Sequence, residues 1–208
     1  MEFNFYSKFL DFPPWSLLLI LDSISVGEGD KKNIMPMDIV IYPDKRLREV
    51  SSPVEAGEIS TPEFQKLIDD MFETMHAAPG IGLAAVQVGV LKRFMVLDIG
   101  IEEGEVVIRD PRVIINPEFI HQEGEVIWEE GCLSCPELIV PMKRHQKVSL
   151  KALDREGKPQ ELSGEDLLAV ALQHEVDHMD GKLIIDEISR LKRNLYTDKI
   201  RKGKIAIK

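Results

Sequence analysis

SGEDLLAVALQHEVDHMDG, residues 163–181, decides how this chain is read. Leu167, Leu168, Val170, Ala171, Leu172 and Val176 put apolar side chains on nearly every side of a helical wheel. A helix of that kind is buried. Ser163-Gly164-Glu165-Asp166 reads as its start, close to a capping box, and Gly181 as its stop. His174 and His178 stand four residues apart on one helix face, where both imidazoles reach a single metal ion. A divalent metal lowers the pKa of a water it holds from about 16 to about 7, and Glu175 is placed beside the histidines to take the proton. Without such a partner, these polar groups would be costly on a buried helix. The spacing points to a metal-dependent hydrolase.

A catalytic metal of this type takes three protein ligands and keeps one position open, so a third ligand must come from elsewhere. Gly181 fits the HExxHxxGxxH pattern of one protease class, but its last position is Ile184, which cannot ligate. Glu187 and Cys132 both stay open at this point, and a zinc endopeptidase with a different third ligand is the alternative reading. Two cysteines, Cys132 and Cys135, are too few for a disulfide framework. No βαβ pattern surrounds their C-x-x-C spacing, as a thioredoxin-like motif would require. A reducing, cytoplasmic setting suits a thiolate that ligates metal.

Outward from the helix, the pattern predicts an α+β fold: a single domain with antiparallel sheets packed around the central helix, plus an N-terminal and a C-terminal helix. Thr61-Pro62-Glu63 starts the first of these, with Thr as cap and Pro at the first position. Its apolar stripe is Phe64, Leu67, Ile68, Met71, Phe72 and Met75, and Pro79-Gly80 stops it. DIVIYP (38–43), KRFMVLDI (92–99), VVIRDPRVIINP (106–117) and residues 125–129 read as strands. The run after them reads as a hairpin turning at Arg155-Glu156-Gly157. A last helix is expected from about Glu187 to Arg201.

With 44% hydrophobic and 30% charged residues, the 208-residue chain has ordinary globular composition and length for a sizeable core. Residues 37–208 are expected to form the catalytic domain and residues 1–36 an extension, with Met37 as the natural start. The apolar run at Trp15–Leu21 is far short of the roughly 20 residues that span a bilayer. A net charge of -10 argues against a DNA groove. The charge is uneven, however: residues 190–208 carry eight Lys/Arg and one acid, Asp198, against 18 basic and 35 acidic residues elsewhere. A basic tail on an acidic body can dock on a polyanion.

Three segments, GIGLAAVQVG (80–89), EGCLS (130–134) and QHEVDHMDG (173–181), together with the opening MDIVIYPDKRLREVSSPV, resemble the peptide deformylase family in order and spacing. The resemblance covers about Met37 to the end. It implies removal of the formyl group from the formyl-methionine of newly synthesised polypeptides. It also implies Cys132, His174 and His178 as metal ligands, with Fe2+ as native metal and Zn2+, Ni2+ or Co2+ as substitutes. Gln87 and the Leu133 N–H would stabilise the oxyanion and Glu175 would move the proton. Ile81, Gly82, Glu130 and Gly131 would border the peptide. By their place before His174, Leu167, Val170 and Ala171 would line a methionine pocket that Trp128 helps to close, although such residues also do ordinary core packing. The segment after EGCLS is shorter than the family pattern and lacks an Arg often found there, for which Arg144 is the candidate substitute. Cys135, where the family often has an aliphatic residue, is not assigned to the metal; it is a candidate second target of oxidation beside Cys132, or a disulfide partner. The resemblance further implies a ribosome contact through Arg190, Lys192, Arg193, Lys199, Arg201 and Lys202.

Overall fold

The computed structural model describes residues 36–78, 80–103 and 106–205. The extension expected at residues 1–36 lies, but for Pro36, outside the described residues. In chain order the elements are α1 (Ala56–Ile59), α2 (Pro62–Ala77), β1 (Gly82–Ala84), β2 (Phe94–Leu97), β3 (Ile101–Glu103), β4 (Val106–Ile108), β5 (Arg112–Glu123), β6 (Val126–Glu130), β7 (Val140–Arg144), β8 (Lys147–Leu153), β9 (Pro159–Glu165), α3 (Asp166–Met179) and α4 (Arg190–Arg201). Short 3-10 turns lie at 45–48, 85–88 and 184–187. The expected α+β class with antiparallel sheets is what forms.

One five-stranded antiparallel sheet, ordered β1-β2-β5-β8-β9, carries a helix on each face. Thr61 caps α2, its hydroxyl accepting from Phe64 N–H at 3.3 Å. The helix then buries Phe64, Ile68, Met71 and Met75 with Leu83, Phe94, Val96 and Ile115. On the other face α3 buries Ala169, Leu172, Val176 and Met179 with Met95, Leu97, Ile114 and Leu150. Alternate residues of a strand point to opposite faces. The unbroken apolar run Phe94-Met95-Val96-Leu97 therefore fits a strand covered on both sides. Each such side chain contributes about 1.5–3 kcal/mol on burial. β5 bulges between Ile115 and Glu118. There Asn116 bridges the gap with its side-chain amide, accepting from Val54 N–H and donating to Val54 O, both at 2.9 Å. A separate hairpin, β6–β7, stands beside α3 and presents Glu130 at its end.

Two expectations are corrected. DIVIYP is not a strand. Its alternation buries Val40, but its backbone goes to two loops: Val40 N–H donates to Gln87 O at 2.7 Å and Tyr42 N–H to Ser134 O at 2.9 Å. The segment thus joins the 85–88 turn to the EGCLS turn. Nor does Ser163 cap the central helix. β9 runs through it to Glu165, and the Ser163 hydroxyl pairs across the sheet with that of Ser149 at 2.8 Å. The helix starts only at Asp166, whose φ of 49° turns the chain out of the strand. Sheet pairing outcompeted a local cap. Gly181, with φ 73°, does end the helix; a Cβ there would lie 2.6 Å from Arg48 O.

Candidate metal centre

α3 supplies two of the three groups that converge, and the turn after β6 supplies the third. His178 Nε2 lies 3.2 Å from His174 Nε2 and 3.1 Å from Cys132 Sγ. The three ligand atoms all fall within 4.8 Å of one another, and no other such group of three or more His, Cys, Asp or Glu occurs among the described residues. Of the two open candidates for third ligand, Cys132 is therefore in place. Glu187 is exposed on the 184–187 turn, and Ile184 is packed in the core.

Hydrogen bonds set the charge of this cluster. The Cys135 thiol, and then the two imidazoles, hold the Cys132 thiol well below the ordinary range, toward thiolate. Burial opposes charge on His174, but Cys132 and Glu130 outweigh it and raise its pKa. Sulfur with two imidazoles is a donor set for iron, zinc or their neighbours rather than magnesium or calcium.

Behind the ligands lies a supporting chain. His174 Nδ1 is 2.8 Å from Glu130 Oε2. Glu130 in turn receives both arms of Arg144, Nε to Oε1 at 2.7 Å and Nη2 to Oε2 at 2.9 Å. Arg144 Nη1 reaches Asp177 Oδ2 at 2.5 Å, back on α3. Glu130 and Arg144 are both buried. The Glu130 carboxylate is thus shared between His174 and Arg144, and the Arg144 guanidinium between Glu130 and Asp177. Asp177 and Gln173 were passed over in the sequence reading. Gln173 pins the β7–β8 link, accepting from His145 N–H at 3.0 Å and donating to His145 O at 2.9 Å. The only sequence signal for either was its place inside QHEVDH.

Glu175 is buried beside β1, and burial raises its pKa. Its Oε2 has no partner among the described residues. A buried carboxylate oxygen left open next to three converging ligands fits a centre that also takes a water. Gly82 makes room for Glu175: a Cβ at residue 82 would sit 2.5 Å from Glu175 Oε1 and 2.8 Å from Leu97 Cδ2.

Gln87 is buried in the 85–88 turn, and its Oε1 accepts from Ala84 N–H at 2.8 Å. That leaves Nε2 facing the cluster, 3.8 Å from Cys132 Sγ and 3.3 Å from Ser134 Oγ. The Leu133 N–H has no hydrogen-bond partner among the described residues. Ile81 is half-buried, with its carbonyl accepting from Asp98 N–H at 2.9 Å. Gly131 is exposed between Glu130 and Cys132. Trp128 shares the inner face of β6 with Glu130, two residues on. Of the expected pocket residues, Ala171 packs in the core under α3. Val170 is buried and Leu167 is half-buried.

Residues 36–194 match the family profile for polypeptide deformylase. The chain is 49% identical over 166 residues to peptide deformylase 2 of Xanthomonas campestris pv. campestris, covering 80% of this chain and 95% of that one. Among solved structures, a peptide deformylase from Legionella pneumophila is 46% identical with a TM-score of 0.73, covering 82% and 96% of the two chains. One from Ehrlichia chaffeensis, in complex with actinonin, is 39% identical with a TM-score of 0.75, covering 82% and 99%. None of these supports the endopeptidase alternative. With the Cys-His-His centre in place, the chain belongs to the polypeptide deformylase family, metal-dependent hydrolases that remove the N-formyl group from the formyl-methionine of new polypeptides.

Proposed function

We propose that Cys132, His174 and His178 hold one ferrous ion and that Glu175, Gln87 and Leu133 carry the rest of the deformylation chemistry. The observation that carries this reading is the convergence of the three ligand atoms within 4.8 Å beside the unpartnered Glu175 Oε2. When bound, the metal supplies the Lewis acid that activates water and polarises the formyl oxygen. Glu175 takes the proton of the attacking water and returns it to the departing amine. Gln87 Nε2 and the Leu133 N–H donate to the formyl oxygen as it gains negative charge. The bond from Ala84 N–H to Gln87 Oε1 supports this reading, because it fixes the Gln87 amide and keeps reorganisation small.

β1 is an edge strand of the main sheet. A formyl-methionyl peptide adds alongside it, bordered by Ile81, Gly82 and Gly131. The methionine side chain goes toward Leu167 and Val170, two turns and one turn before His174, with Trp128 as a wall. Ala171 contributes only its inner packing. Actinonin, bound by the Ehrlichia protein, is expected to compete for the same cleft.

The protein meets its substrate in the cytoplasm at the ribosome, through Arg190, Lys192, Lys199, Arg201 and Lys202, all exposed on or just past α4. Arg193 is not among them, because its guanidinium turns inward to Ile185 O at 3.1 Å and Asp186 O at 2.9 Å. No helix of the described residues is long and apolar enough to cross a membrane.

Metal analysis of anaerobically purified protein, paired with formate release from a formyl-methionyl peptide, tests the reading. Iron that tracks activity is expected. Full activity in a preparation holding zinc and no iron would overturn the choice of metal. Cys132→Ala that keeps metal and turnover would overturn the ligand set.

A further inference from the structure

Cys135 is a thiol that deformylation leaves idle. It is fully buried, three residues after the partly exposed Cys132. Cys132-Leu133-Ser134-Cys135 closes as a tight turn in which Cys135 N–H donates to Cys132 O at 2.9 Å. The first and last Cα atoms of such a turn lie within about 7 Å. Disulfides take Cα separations of about 4.4–6.8 Å. The backbone hydrogen bond thus already holds the two residues at a separation that a disulfide can take. Side-chain rotation within the turn is therefore the main movement that a bond between them demands. The two positions also differ in access: an oxidant arriving through the cleft reaches Cys132 first, while Cys135 waits behind it.

We propose that Cys132 and Cys135 form a reversible disulfide when peroxide enters the site, and that this bond withdraws Cys132 from the metal. The Cys132 thiolate attacks one peroxide oxygen, the O–O bond breaks, and Cys132 sulfenic acid and hydroxide result. The Cys135 sulfur then attacks the sulfenyl sulfur and expels hydroxide, which leaves as water with the Cys135 proton. In sum, two thiols and one hydrogen peroxide give one disulfide and two waters. The cysteine is thereby held on the reversible side of the oxidation ladder, short of sulfinic and sulfonic acids. A dithiol reductant restores both thiols. Formation of the disulfide does not rest on the metal assignment; the release of metal does.

The test exposes the metal-loaded protein to hydrogen peroxide and follows mass, free thiols and released metal. The expected product is about 2 Da lighter, the loss of two hydrogens. Its free thiols are gone, residues 132 and 135 are linked on peptide mapping, and metal appears in solution. Dithiothreitol returns both thiols. In Cys135→Ser and Cys135→Val the expected product is instead heavier by about 32 or 48 Da, with two or three added oxygens on Cys132, and reductant does not restore it. Wild-type protein that gains oxygens on Cys132 without a 132–135 link would overturn the proposal, a result that needs neither variant to fold. A disulfide that forms while the metal stays bound would leave the redox pair standing and overturn Cys132 as ligand.

Discussion

His174 Nδ1 and Glu130 Oε2 lie 2.8 Å apart, and this contact turns the other nitrogen of His174 toward Cys132 and His178. The tautomer and ring orientation of a metal-binding histidine are set by what its second nitrogen touches. Glu130 is itself held by two arms of Arg144. Glu130→Ala should therefore weaken metal affinity by about 10–100-fold. Competition with a chromophoric chelator measures it; unchanged affinity would remove Glu130 from the centre.

Glu175→Gln keeps the shape of the side chain and removes the base. Turnover should fall about 10²–10⁴-fold, with metal content unchanged, because Glu175 is no ligand. Loss of metal along with turnover would show that its part is structural.

Gly82→Ala tests the approach of β1 to α3. The new methyl would lie 2.5 Å from Glu175 Oε1 and 2.8 Å from Leu97 Cδ2, so one of them must move. Overpacking of this kind costs about 1–3 kcal/mol in unfolding free energy. Because Glu175 is the nearer neighbour, kcat should drop at least as far as stability accounts for. Wild-type kcat would show that the glutamate has slack at this position.

Acid should loosen the same region. Burial alone would raise the Glu130 carboxyl, but hydrogen bonds from Arg144 and His174 outweigh it and hold its pKa below the ordinary 4.5. A carboxyl depressed in the folded state gives stability that is fully present above its unfolded value. That stability is lost as pH falls through the folded value. Metal-free wild type should thus lose stability below about pH 4.5 more steeply than Glu130→Gln. Denaturant midpoints across that range decide it; parallel curves would discard the linkage.

How much of this was legible in the sequence depends on the distance over which the cause acts. α2 and α3, their glycine or proline stops, and the facing of His174 and His178 follow from helical period and local steric rules, which act over a few residues. The Thr61 cap was readable for the same reason. The expected cap at Ser163 failed because a partner strand, β8, claimed that residue. DIVIYP had the alternation of a strand, yet it lies between two loops that no local pattern could bring to it.

The sequence by itself determined that a buried helix carries two imidazoles and a carboxylate on the side of a metal, since spacing and burial are written in one continuous segment. It also carried, by resemblance, EGCLS as the source of the third ligand. Only the tertiary structure decided that the Glu130 side chain bonds His174 and Arg144, that Gly82 yields its space to Glu175, and that the Arg193 guanidinium bonds the carbonyls of the 184–187 turn. The reason is physical. A charged side chain buried by the fold takes whatever opposite charge or hydrogen-bond partner the fold places beside it. That partner comes from β7, β1 or the 184–187 turn, whose positions are set by packing rather than by neighbours in the chain.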